Sequence, residues 1–392
     1  MIFGVLKDVK IGEFRVIATP IEVASIKRDG HIVLVEKDAG LNAGFSNQEY
    51  VNEGAEIVET VKEMYGRCDL IAKVKEIQKE EYHLLRKDLI IYTCIHPAAH
   101  EEEVQAIIDS KCIAFTAEDS HRYGSVNCEA AGKQGALMGL YSMLTINGGK
   151  GKFVSGLAGA PGIKVLILGG GIVGKSALQV LQSLGAWCTL MDVNMATLRE
   201  IGKLYNEKVN TQFSTKENIK KLLPEIDMVI NCVKWPKGNE DYLIDRDMLN
   251  LMGKGSVIVD ISNDDKGAIE SFHETTHENP TYIENGIVHY CVGNIPGCIA
   301  NSVSVAYAAS VLPHIRSILN LGIKKACIKD GYLRRSLVVY KGYVTHEETS
   351  AIQNRPWVRP EEILNILDEK LDPAPPATMT RSDNFSKSTL LF

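Results

Sequence analysis

The chain has 392 residues, 45% hydrophobic and 23% charged, with 43 Lys and Arg against 49 Asp and Glu for a net charge of −6. This is the composition of a soluble globular protein, too long for one ordinary core, so two domains are expected. The acidic balance argues against a general nucleic-acid or membrane-surface role, and no apolar run is read as reaching the ~18 residues of a membrane span.

The opening Met1-Ile2-Phe3-Gly4-Val5-Leu6-Lys7 is short, apolar and soon charged, which predicts a first strand and not a signal peptide. Strands are then expected at 2–6, 31–36, 70–74, 89–93 and 112–116, and helices at 20–29, 47–53 and 100–110. Thr19-Pro20 is a helix start and Asp29-Gly30 its end. Strand and helix alternate, so a parallel, doubly wound sheet is expected.

Residues 127–145 predict a long helix with small residues (Ala130, Ala131, Gly132, Gly135, Ala136, Gly139) suited to close packing. A second helical run at 301–312 should end or kink at Pro313. The chain thus leaves a first domain (1–125 and 302–370), builds a second (126–301), and returns. The expected architecture is α/β, two Rossmann-like doubly wound domains joined by two long helices, with a cleft between them. Residues 371–392, rich in Pro, Ser and Thr, are expected to be a flexible or surface tail.

The second domain opens on Lys164-Val165-Leu166-Ile167-Leu168-Gly169-Gly170-Gly171-Ile172-Val173-Gly174, an apolar strand breaking into G-x-G-x-x-G before a helix. The next apolar run ends in Asp192, 18 residues beyond Gly174. Strand, glycine turn, helix, strand and acid make a dinucleotide-binding unit. Gly169 makes the turn, Gly171 lets a pyrophosphate approach the backbone, and Gly174 lets the helix pack close. The helix N-terminus offers free N–H groups and partial positive charge to the phosphates. Asp192 would accept bonds from the adenosine ribose and repel a 2′-phosphate, which selects NAD over NADP. A glycine-rich turn without ligand is the bland alternative.

Four further patches put polar residues near strand ends. Arg15 in Gly12-Glu13-Phe14-Arg15-Val16 could clamp a carboxylate or be a plain surface arginine. Lys73 and Lys75 in Lys73-Val74-Lys75-Glu76 alternate onto one face, toward a ligand crevice or toward solvent. His96, before Pro97, could move a proton near neutrality or be structural. The strand Val257-Ile258-Val259-Asp260 runs into Asp264 and Asp265, a site or a turn.

Together these patches resemble the alanine dehydrogenase family, which includes the nucleotide-binding subunit of proton-translocating transhydrogenase. The matching motifs are Glu13-Phe14-Arg15-Val16-x-x-Thr19-Pro20, Lys73-Val74-Lys75-Glu76, Ile95-His96-x-Ala98-Ala99, Val257 to Asp264, Gly148-Gly149-Lys150-Gly151, Val288 to Gly297 and Val339 to Thr345. The likeness runs in order and spacing over about residues 1–365, closest to alanine dehydrogenase.

The resemblance implies reversible oxidation of L-alanine by NAD to pyruvate, ammonium and NADH. It implies Arg15 and Lys75 on the substrate carboxylate and carbonyl, and His96 as general acid–base. Asp264 would lie between nicotinamide and substrate, and Glu118 and Asn294 would support them. The implied cofactor set is Gly169, Gly171, Ile172, Val173, Gly174, Asp192, Cys232, Val233, Asp264 and Asn294, with no metal. A homo-oligomer (hexamer or dimer) in the cytoplasm is implied, with a small amino acid and its 2-oxo acid as partners and no nucleic acid or membrane.

The sequence departs from the family at Asn127-Cys128, Ile295, Cys94 and Val233-Lys234-Trp235-Pro236-Lys237. A larger or more polar amino acid therefore stays open. So does an opine- or saccharopine-type dehydrogenase, which reduces an imine between a 2-oxo acid and an amino acid. A non-catalytic NAD-binding protein is a third reading. The nine cysteines form no C-x-x-C pair, so reduced thiols are expected, and Cys128 and Cys298 are read as packing residues.

Overall fold

A computed structural model describes residues 1–235, 239, 241–262 and 267–375. The chain divides into two compact units. One takes Met1–Val126 and the chain from Ile299, and the other takes Asn127–Cys298.

The first unit begins with six parallel strands: β1 (Ile2–Val5), β2 (Ile32–Glu36), β3 (Glu56–Val58), β4 (Leu70–Ala72), β5 (Ile90–Thr93) and β6 (Ile113–Thr116). β4, β5 and β6 are buried along their whole length, as a sheet covered on both faces requires. The second unit holds β7 (Lys164–Leu168), β8 (Trp187–Asp192), β9 (Asn210–Phe213), β10 (Met228–Asn231), β11 (Val257–Asp260), β12 (Thr281–Glu284) and β13 (Ile287–Tyr290). The returning chain adds β14 (Leu337–Tyr340) and β15 (Tyr343–Val344) to the first unit.

Among the described residues the sheet orders are β15-β14-β6-β5-β4-β1-β2-β3 and β12-β13-β11-β10-β7-β8-β9. Apart from antiparallel edge strands, both units wind outward from a central strand, first one way and then the other. The winding reverses between β1 and β4 in one unit and between β7 and β10 in the other. In such sheets ligands bind at the carboxyl ends of the strands beside that reversal.

The expected strands and helices appear with ends shifted by up to three residues, apart from the helix that begins at Ala300. β3 and the helix Val61–Arg67, capped by Thr60, were not anticipated. The small residues of the helix Val126–Ser142 have a steric reason within the second unit. A Cβ at Gly132 would lie 2.2 Å from the Val173 carbonyl oxygen, and one at Gly139 2.5 Å from Met228 Sδ.

Two expectations are corrected. The helix Ala300–Lys329 does not end at Pro313; its non-helical residue is Gly322, at φ 72°. A proline inside a helix costs about 3 kcal/mol, which burial of Val303, Tyr307, Val311, Ile315 and Ile318 offsets. By length and composition this helix is also apolar enough to cross a bilayer, contrary to the reading above, yet half of its apolar window is buried inside the protein. The start of the tail, expected as flexible or on the surface, is anchored at the surface. Asp372 Oδ2 accepts from the Gly331 amide at 2.9 Å and from Arg122 at 2.5 Å, and the Pro375 carbonyl accepts from Arg335. Residues 376–392 lie outside the described residues.

Candidate functional site

Four neighbouring strands of the first unit, β1, β4, β5 and β6, deliver their C-terminal loops to one sheet edge. The loop after β1 carries Asp8, Glu13 and Arg15. Arg15 is 3% exposed, not a surface residue. Its guanidinium grips Glu13 with Nε 2.8 Å from Oε1 and Nη2 2.5 Å from Oε2. A buried cation needs such a partner.

The loop after β4 separates the two lysines that alternation would have placed together. β4 stops at Ala72, and Lys73 turns inward to donate to Glu81 at 2.8 Å, with Asp8 at 3.9 Å. Lys75 is half-buried, and among the described residues its ammonium has no hydrogen-bond or ion-pair partner. Its backbone is fixed instead: the amides of Val74 and Lys75 donate to Asp8 at 2.7 and 3.2 Å. Burial raises the Asp8 carboxyl to about 7, against the pull of Lys73.

After β5 the chain turns sharply, and His96 sits in the left-handed region at φ 49°. Its amide donates to Glu118 Oε1 at 2.7 Å, and its ring Nδ1 is 3.5 Å from the same oxygen. The His96 side chain is 46% accessible. Although almost half of the side chain reaches solvent, crowding of the rest by the surrounding loops holds the imidazole below its ordinary value; Glu118 opposes this and the Lys75 charge reinforces it. Glu118, in the turn Ala117–Asp119 after β6, has its Oε2 buried with no hydrogen-bond partner among the described residues.

Cys94, two residues before His96, feels three of these groups. It is buried, 3.1 Å from the Tyr307 hydroxyl, and its thiol feels the charges of Glu118, Lys75 and Arg15. The structure thus brings Arg15, Lys75, His96 and Glu118 together. Sequence reasoning missed Asp8 and Tyr307; Cys94 it named only as a departure from the resembled family.

In the second unit Gly169 follows β7 at φ 91°. Gly171 caps the helix Ile172–Ser183, and a Cβ there would meet nothing within 4 Å, so its backbone is open to approach. A Cβ on Gly174 would lie 1.8 Å from the Gly169 carbonyl oxygen, so only glycine fits. Ile172 is exposed and Val173 half-buried in the first turn of that helix. Asp192, at the end of β8, holds the turn itself: Oδ2 accepts from Gly170 N at 2.6 Å and Oδ1 from Asn194 N at 2.7 Å.

Cys232 and Val233 follow β10. The Cys232 carbonyl would be 3.1 Å from a Cβ on Gly169, and the Val233 carbonyl accepts from Ser262. Asn294 follows β13 at φ 61°. All of these lie at the carboxyl edge of the second sheet, where an open glycine backbone and a helix N-terminus fit a dinucleotide pyrophosphate. Asp264, assigned from sequence to both catalysis and cofactor binding, lies outside the described residues. Cys298 is exposed, with its thiol 3.1 Å from the Ile295 carbonyl, so it is not the packing residue expected.

Comparison with known proteins follows the same division. Residues 4–128 match the family described as alanine dehydrogenase/PNT, N-terminal domain, and residues 135–347 its C-terminal domain. The chain is 36% identical over 372 residues to alanine dehydrogenase of Methanococcus maripaludis, covering 93% of this chain and 100% of that one. It is 35% identical over 370 residues to the Bacillus subtilis enzyme of the same name, covering 93% and 98%. A solved L-alanine dehydrogenase superposes with a TM-score of 0.85 at 32% identity, covering 90% of this chain and 99% of that chain.

Proposed function

This chain belongs to the alanine dehydrogenase/PNT family, and from that membership we propose that it is an NAD-dependent alanine dehydrogenase. The reaction converts L-alanine, NAD and water to pyruvate, ammonium, NADH and a proton, reversibly. The observation that carries this reading is the Glu118–His96 contact at one sheet edge, with the Lys75 charge acting on His96 and the Lys75 and Arg15 charges acting on Cys94.

Each residue has a task suited to its setting. Lys75, whose ammonium has no described partner, takes an oxygen of the substrate carboxylate or carbonyl. Arg15, locked on Glu13, presents a fixed cation to the carboxylate. His96, held mainly neutral at pH 7 by its lowered pKa, removes the proton of the water that adds at Cα. In reverse it protonates the carbinolamine oxygen. Glu118 fixes the His96 backbone and faces its ring. Asp264 assists proton transfer and placement of ammonia, and Asn294 supports the same site.

The glycine turn and Asp192 hold the cofactor, which when bound supplies the hydride acceptor. In the same reading the protein works as a homo-oligomer, a hexamer or dimer, in the cytoplasm. There its nine cysteines stay reduced.

The experiment is NADH oxidation with ammonium and a panel of 2-oxo acids. Turnover with pyruvate is expected. Turnover only when a second amino acid replaces ammonium would assign an imine-condensing dehydrogenase instead.

A further inference from the structure

The loops bearing Lys75 and His96 leave the sheet after Ala72 and Thr93. Near their roots they share two bonds, from Cys94 N to the Val74 carbonyl and from Thr93 Oγ1 to the Lys75 carbonyl. Further out, the link between them is made by an acid that the reaction does not use.

Glu103 lies in the first turn of the helix Glu101–Ser110, where acids ordinarily face water. It is 1% exposed. Its Oε1 accepts from the Ile77 amide at 2.7 Å, two residues beyond Lys75. Its Oε2 makes no hydrogen bond among the described residues and is in charge contact with Nδ1 of His100 at 3.6 Å. That nitrogen is in turn 2.8 Å from the carbonyl oxygen of Ile95, so it carries the proton and donates to the residue just before His96. The rings of His96 and His100 meet edge to face, with centroids 6.4 Å apart.

We propose that Glu103 and His100 form a positioning pair that ties the Lys75 loop to the His96 loop and sets the distance between the substrate-holding cation and the general acid–base. The inference rests on the functional reading above. The two loops have no strand pairing to share at this depth. A buried carboxylate bonded to one and ion-paired to a histidine bonded to the other couples them directly.

The ionisable groups acting on Glu103 are His100 on its own helix, Glu76 and Lys73 on the loop after β4, and Tyr65 and Tyr82. Burial raises the Glu103 carboxyl to about 7, against His100 and the Ile77 amide, while Glu103 raises His100.

The test is steady-state kinetics with pyruvate, ammonium and NADH for wild type, Glu103→Gln, Glu103→Leu, His100→Ala and Glu103→Leu/His100→Ala. Absence of wild-type turnover would defeat the functional reading itself. Given turnover, Glu103→Leu and His100→Ala should each lower kcat/KM for pyruvate about tenfold or more, with the KM for NADH unchanged. Glu103→Gln keeps an acceptor for the Ile77 amide but turns an N–H toward the Nδ1–H of His100, so it severs the link and should lose about as much as His100→Ala. The double variant should be no worse than the worse single one, because both sever the same link.

Unchanged pyruvate kinetics in His100→Ala, multiplicative losses in the double variant, or an equal loss in NADH KM would each overturn the proposal. Should Glu103→Leu fail to fold, His100→Ala and Glu103→Gln decide it.

Discussion

Asp192 has two demands on one carboxylate, and removing it separates them. Its oxygens accept from the Gly170 and Asn194 amides at 2.6 and 2.7 Å. An ionised carboxylate offers about four lone-pair sites, so two remain for ribose hydroxyls without disturbing the turn. Asp192→Ala removes both pairs. The turn bonds are part-exposed, and water replaces much of what they contribute. Loss of the ribose bonds appears in binding: about 1.5–3 kcal/mol for a hydrogen bond to a charged group, which weakens NADH about 10- to 100-fold.

NADPH binding should not fall in parallel, because the charge facing its 2′-phosphate is gone. The preference for NADH over NADPH should therefore shrink at least about tenfold. Asp192→Asn, which keeps one acceptor but no charge, should lie between. Calorimetric titration of both nucleotides, with a thermal melt for the turn, measures this. A variant that melts earlier yet keeps the wild-type NADH to NADPH ratio would refute the ribose assignment and leave Asp192 a purely structural residue.

His96→Ala should abolish turnover while leaving NADH affinity intact, measured by titration and rate together. Because the His96 pKa is lowered from its ordinary 6.5, its basic form persists below that pH. The acid limb of oxidative deamination should then fall below pH 6.5, and the linked stability should be lost as pH drops through 6.5 toward the folded value. Gly174→Ala puts a methyl 1.8 Å from the Gly169 oxygen; it should cost about 3 kcal/mol of stability and raise the Kd for NADH, by denaturant melt and titration. Asp372→Ala frees the Gly331 amide and Arg122; it should cost about 1 kcal/mol in the same melt.

What the sequence reveals is what its local sterics decide. The glycine turn is legible because strand, turn and helix lie within a few residues, and Gly174 admits no other side chain. The alternation that put Lys73 beside Lys75 fails because β4 ends at Ala72, before either lysine, and Lys73 answers to Asp8 and Glu81 instead. Pro313 predicts a helix end, but burial along Ala300–Lys329 outweighs it. Glu103 reads as an ordinary first-turn acid. Its burial depends on an amide 26 residues earlier, which no local pattern announces. Asp8 is hidden in the same way, since its partners lie 66 and 67 residues on. β3 is three residues long and carries no periodicity to read.

The most direct test is the initial rate of NADH oxidation with ammonium and pyruvate, run beside the same mixture lacking ammonium and beside Lys75→Ala. The account predicts ammonium-dependent loss of NADH absorbance, and its disappearance in the variant while NADH still binds. No ammonium-dependent turnover with any 2-oxo acid, or a Lys75→Ala protein as fast as wild type, would contradict it.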